Sequence, residues 1–198
     1  MSHYTLITHF DEISYKRLYS ALDVISGVRT SCVPYGCMED KYRYLCDTLP
    51  YHFTVSSSRE PLSAVMDKLD TLVFKPFDII IDDVKVMPCN QNSQLLYFSV
   101  KKCEEMDLLQ AEIFKRFGNK KYEPGKCTIH LTICVSKKPE KIAILQEKLK
   151  KDFSPFTLRV TSLGLYEIWP GKLKAEYYSK QSLLHRLLRW FYYALFGN

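Results

Sequence analysis

The chain has 198 residues, 46% of them hydrophobic and 25% charged, with a formal net charge of +6. That length suits one α/β or α+β domain able to bury a core without disulfide or metal staples, and the composition excludes a disordered or low-complexity chain. The charge is a mild tilt that fits an anionic ligand and leaves nucleic acid, nucleotide and neutral partners open.

In chain order, "HYTLITHF" reads as a first strand. Asp11 can then cap a helix running to about Ile25, with Ile13, Leu18, Leu22 and Ile25 as its apolar stripe and Gly27 past its end. Residues 28–47 hold Pro34 and Gly36 and little periodicity, which predicts an irregular loop of the length that functional lids have. "YHFTVSS" is the next strand, followed by a helix from about Glu60 to Leu72 with Leu62, Val65, Met66 and Leu69 on one face. "FDIIIDDVKVM" and "QLLYFSVKK" are two strands joined by the turn "PCNQNS". A third helix spans about Glu104 to Phe117 and stops at Gly118. "CTIHLTICV" is a strand, a lysine-rich helix follows, and "FTLRVTSLGLYEI" supplies one or two last strands before "WPGK" turns the chain.

The predicted order is therefore β-α-β-α-β-β-α-β-α-β. It describes an α+β fold of two related lobes over residues 1–179, with antiparallel sheets facing a central cleft and helices on the outer faces. The tail, residues 180–198, is read as a separate amphipathic helix. Within 182–196, Leu183, Leu184, Leu187, Leu188, Phe191, Ala194 and Leu195 make one stripe, too short and too charged to span a bilayer. Its destinations are its own domain, a membrane interface, or self-association. Seven cysteines without a regular framework, and an N-terminus unlike a secretory leader, predict a cytoplasmic protein, membrane-peripheral if the tail binds lipid.

"YHFTVS" (51–56) and "IHLTIC" (129–134) repeat His-x-Thr 78 positions apart, each time inside a strand pattern. Alternation predicts His52, Thr54 and Ser56 on one face, and Thr128, His130, Thr132 and Cys134 on one face, with apolar residues behind them. Two imidazoles and two hydroxyls suffice for phosphodiester cleavage. One neutral imidazole takes a proton from the attacking hydroxyl and the other, as imidazolium, protonates the leaving oxygen. The hydroxyls donate to the non-bridging oxygens. The sequence has neither carboxylates spaced for magnesium nor a glycine-rich phosphate loop, so no cofactor and no metal is expected.

At these residues the chain resembles the 2H phosphoesterases, the superfamily of 2′-5′ RNA ligase-like proteins and cyclic nucleotide phosphodiesterases. The resemblance covers residues 3 to about 168, from the opening strand and helix through both motifs to "LGLYEI". It implies His52 and His130 as the catalytic pair and Thr54 and Thr132 as the phosphate-binding pair. It also implies a metal-independent phosphodiesterase acting on a nucleotide or short oligonucleotide: a 2′-5′-linked oligoadenylate, a cyclic di- or oligonucleotide, or a 2′,3′-cyclic phosphate. Members commonly have proline before the second motif histidine, where this chain has Ile129. Two other classes stand beside the enzyme: a non-catalytic nucleotide- or RNA-binding module, and a peripheral membrane or adaptor protein that works through its tail.

Four further residues are candidate substrate contacts. Tyr166 and Trp169 offer aromatic faces to a base, and Arg59 and Lys126 flank the motif strands as phosphate partners. His9, closing the first strand, has two readings, flanking the cleft or a plain structural role, and the structural role is the one taken.

Overall fold

A strand–helix–strand–helix–strand unit occurs twice in this chain. The computed structural model describes residues 3–25, 49–89, 92–168 and 172–178. The first unit is β1 (Tyr4–Phe10), α1 (Glu12–Asp23), β2 (Thr54–Ser58), α2 (Leu62–Asp70) and β3 (Phe77–Cys89). The second is β4 (Ser93–Val100), α3 (Glu104–Phe117), β5 (His130–Ser136), α4 (Pro139–Lys151) and β6 (Phe156–Glu167). A seventh strand, β7 (Lys172–Tyr178), follows. The loop expected over 28–47, Trp169, and the tail helix over 182–196 lie outside the described residues.

Local chemistry explains the helix boundaries. Asp11 accepts from the Ser14 amide at 2.7 Å and so caps α1. Gly118 ends α3 in the left-handed region at φ 60°, where a side chain is disfavoured. α2 is shorter than its periodicity implied, because Pro61 occupies the N-cap position and the helix begins after it. The α1 stripe is also corrected: Ser14, Leu18 and Leu22 are buried, while Ile13 stands 60% exposed one position off the seam.

The units exchange their third strands. β1 is flanked by β2 and β6, and β4 by β5 and β3. Each half is thus completed by a strand from the other. The two expected sheets are joined in one, of order β2-β1-β6-β3-β4-β5 and wholly antiparallel. The joint is β6, whose twelve residues reach both halves. One of its edges pairs with β1, while the other pairs with β3 over Phe156–Val160 and with β7 over Ser162–Glu167.

β7 was missed because "KLKAEYY" reads as charged, yet Ala175 and Tyr177 are buried and Glu176 between them is not. The helices cover one face of the sheet, and Leu6, Phe53, Val55, Leu131, Leu163 and Leu165 meet Leu18, Leu69, Ile113 and Leu145 in one core. The other face carries the motif side chains.

Candidate active site

The outer strands of the sheet, β2 and β5, approach one another through an antiparallel bridge between Phe53 and Leu131. These are the central residues of the two His-x-Thr motifs, and both are fully buried. An antiparallel register about that bridge sets His52 towards Thr132 and Thr54 towards His130. By that register each histidine stands across from the threonine of the other motif, about a local two-fold through the bridge.

The equivalence extends to the backbone. Leu6 pairs with Ser56 and Ile7 with Thr54, so β2 bulges at Val55. Leu96 pairs with Cys134 and Tyr97 with Thr132, so β5 bulges at Ile133, 78 positions later. A bulge ends strict alternation, which corrects two expectations. Ser56 falls opposite the core residue Leu6, and Cys134 falls opposite Leu96 and joins the core. Of the polar face read from the sequence, the bulges leave the histidine and threonine of each motif.

Both imidazoles are held in the same way. His52 Nδ1 donates to the Pro50 carbonyl at 2.7 Å, and His130 Nδ1 donates to the Thr128 carbonyl at 2.7 Å. A carbonyl only accepts, so each Nδ1 carries its hydrogen, and in the neutral ring Nε2 is the nitrogen with the lone pair. The Tyr97 ring stands edge-on to His130 at 5.5 Å and fixes its plane.

Their environments differ. His52 is buried, and burial drives it down to about 4, with the charges of His9 and His130 adding to the drop against the Pro50 carbonyl. His130 is half-buried and lowered, by burial first and then by the Lys121 ammonium, against the Thr128 carbonyl. Both motif histidines are thereby lowered, and burial favours the neutral form of His52. Thr132 is buried and Thr54 half-buried.

The other candidates divide. Tyr166 lies on the motif side of β6, but its ring is 7% exposed and packs edge-on to His9, so its face is closed to a base and its hydroxyl meets His9 Nε2 at 3.1 Å. Arg59 sits past the far end of β2, seven residues from His52 and roughly 20 Å along an extended strand. There its charge and that of Lys121 are felt by His3, whose lowering is due first to burial. Lys126 is exposed and engages Glu123 at 2.9 Å. Lys121 is the cation felt by His130, and the sequence reading passed over it.

It named Tyr166 and weighed His9 at the cleft, but passed over the network that joins them to Glu176 beside His52. His9 Nδ1 lies 2.9 Å from Glu176 Oε1 and His9 Nε2 lies 3.1 Å from the Tyr166 hydroxyl. Ser162 and Tyr178 donate to the same carboxylate at 2.6 and 2.7 Å. The parity of β1, with His9 in step with Thr5 and Ile7, was the signal that could have placed it on the motif face. Among the described residues no group of three or more histidine, cysteine or acidic side chains is disposed to hold a metal ion.

A family model described as the 2′-5′ RNA ligase superfamily matches residues 40–169, more than half of the chain. No curated protein matches in sequence. Among solved structures, TT0787 of Thermus thermophilus superposes with a TM-score of 0.55 at 13% identity, covering 91% of this chain and 100% of its own. Escherichia coli LigT complexed with ATP gives 0.53 at 11%, covering 91% and 99%. Kluyveromyces marxianus Usb1 gives 0.52 at 10%, covering 89% and 97%. At such identities these likenesses establish the fold, and with the family match they show that the chain belongs to the 2′-5′ RNA ligase superfamily, the 2H phosphoesterases.

Proposed function

We propose that the protein cleaves a nucleotide or oligonucleotide phosphodiester by two-histidine acid–base catalysis. The observation that carries this reading is the paired geometry at the Phe53–Leu131 bridge: two imidazoles, each locked through Nδ1, each set towards the other motif's threonine. His52, held neutral, takes the proton of the attacking water or ribose hydroxyl through Nε2. His130 delivers a proton to the leaving oxygen, and the anionic phosphodiester beside it favours the imidazolium this requires. Thr54 and Thr132 donate to the non-bridging oxygens as charge builds on phosphorus. Lys121 adds positive potential on the His130 side.

Both proton transfers are supplied by side chains, so turnover is expected to persist without a divalent cation. A nucleotide substrate accords with the relatives, since E. coli LigT has been solved with ATP, with NADP+ and with 3′-AMP. The candidate substrates are 2′-5′ oligoadenylate, cyclic dinucleotides and 2′,3′-cyclic nucleotides. The test is a cleavage screen of these in EDTA, with His52→Ala and His130→Ala alongside the wild type. Each substitution is expected to lower turnover of the accepted substrate by about 10²–10⁴-fold. Turnover that survives both substitutions, or no turnover on any of them, would refute the reading.

A further inference from the structure

β1, β6 and β7 bring His9, Tyr166 and Glu176 together beside the motif strands, and none of the three has a place in the two-histidine chemistry. The Thr8 amide donates to the Phe53 carbonyl at 3.0 Å and the Phe53 amide donates to Thr8 Oγ1 at 3.0 Å. That register lays His9 alongside His52, whose titration feels it. Ile7 pairs with Thr54 on one side and Gly164 on the other, and Gly164 pairs with Glu176. One row of the motif face therefore runs from Thr54 to Glu176, and the rings of His9 and Tyr166 meet above it. Their meeting depends on a glycine. A Cβ at position 164 would stand 2.5 Å from His9 Nε2 and 2.6 Å from Tyr166 Cε2.

Glu176 Oε1 lies 2.9 Å from His9 Nδ1, so that nitrogen carries its hydrogen. Two arrangements then remain at Nε2, 3.1 Å from the Tyr166 oxygen. With neutral His9, Nε2 accepts the phenolic hydrogen and Tyr166 has no donor left. With His9 doubly protonated, Nε2 donates to the Tyr166 oxygen, and the phenolic hydrogen is released for an acceptor other than His9. Such an acceptor needs a lone pair, and in a phosphodiester site the anionic phosphate oxygens are the strongest acceptors.

We propose, building on the phosphodiesterase reading, that Tyr166 binds substrate by donating its phenolic hydrogen to a phosphate oxygen on the motif face, and that His9, clamped by Glu176, is the residue that positions it. β6, which carries Tyr166, lies two strand spacings from β2, roughly 10 Å, so the phosphate it meets is one placed on the face between Thr54 and Glu176. Burial and the Glu176 carboxylate hold the Tyr166 phenol above its ordinary value, so it keeps the hydrogen it donates. His9's hydrogen bond, against burial and with Ser162 and Tyr178 assisting, holds Glu176 at about 2, so it stays a carboxylate throughout the working range.

The test is isothermal titration with adenosine 3′-monophosphate, and with adenosine as the phosphate-free control. Wild type, Tyr166→Phe, His9→Gln, Glu176→Gln and the double variant Tyr166→Phe/His9→Gln are compared. Tyr166→Phe keeps the ring and is expected to melt with the wild type. It should bind the monophosphate about tenfold or more weakly and leave adenosine unchanged. His9→Gln and Glu176→Gln should lose a similar factor. The double variant should lose no more than the weaker single, because His9 acts through Tyr166.

Wild-type affinity in Tyr166→Phe, equal loss on adenosine, or multiplying losses in the double variant would overturn the proposal. Tyr166-dependent binding without turnover on any substrate would defeat the phosphodiesterase reading and leave this one standing. Turnover with unaltered binding in Tyr166→Phe would do the reverse.

Discussion

His52→Gln should flatten the acid side of the stability curve. His52 is buried, and burial first, then His9 and His130, hold it at about 4 against an ordinary value of 6.5. Its folded-state value is depressed, so below 6.5 the unfolded chain takes up a proton that the folded chain refuses until about pH 4. The stabilisation is complete above 6.5 and is lost as pH falls towards 4. Linkage between those two values gives a loss of about 2 kcal/mol between about pH 7.5 and pH 5. Glu176, held at about 2, contributes its own window at lower pH and cancels between the two proteins. The assay is urea unfolding of wild type and His52→Gln at both pH values. The lost bond to Pro50 adds an offset that does not vary with pH. Wild type should lose about 2 kcal/mol more than the variant over this interval. Parallel losses would show that His52 titrates alike in the folded and unfolded chain, and the assignment of His52 as a neutral buried base would fall.

Three further substitutions separate the scaffold from the chemistry. Phe53→Ala empties a fully buried site at the bridge between the motifs; it should cost about 3–5 kcal/mol in urea unfolding and reduce turnover in parallel. Asp11→Ala removes the α1 cap at 2.7 Å and should lower stability by about 1 kcal/mol with turnover per folded molecule unchanged. Gly164→Ala forces a methyl against His9 and Tyr166; a cost of about 1–3 kcal/mol is expected in thermal or urea unfolding, and a variant as stable as wild type would show that these rings do not meet there.

The sequence displayed the fold through periodicity and the candidate site through repetition. α3 ran from Glu104 to Phe117 as read, since both its apolar stripe and Gly118 are local signals. The two motif histidines were legible because the same triplet recurs in strands of like alternation. What escaped was set by long-range register. The bulges at Val55 and Ile133 depend on partners some forty residues away, so Ser56 and Cys134 were placed on the wrong face. The exchange of third strands was hidden because a strand's own residues do not name its neighbour. His9 and Glu176 are 167 residues apart, and only the pairing of β6 with β1 and β7 brings them into contact. The unequal burial of His52 and His130, on which the proposed division of base from acid rests, is likewise a property of the assembled sheet.

That division is tested most directly by changing the leaving group. Turnover of the substrate accepted in the EDTA screen would be compared with turnover of the same nucleotide carrying 4-nitrophenolate in place of the leaving ribose oxygen. 4-Nitrophenolate departs without a proton, so it has no need of a general acid. With His130 as acid, His130→Ala should lose about 10²–10⁴-fold on the natural leaving group and little on the nitrophenyl ester, while His52→Ala loses on both. Equal losses for the two variants on both substrates, or His52→Ala being the one rescued by 4-nitrophenolate, would contradict the assignment.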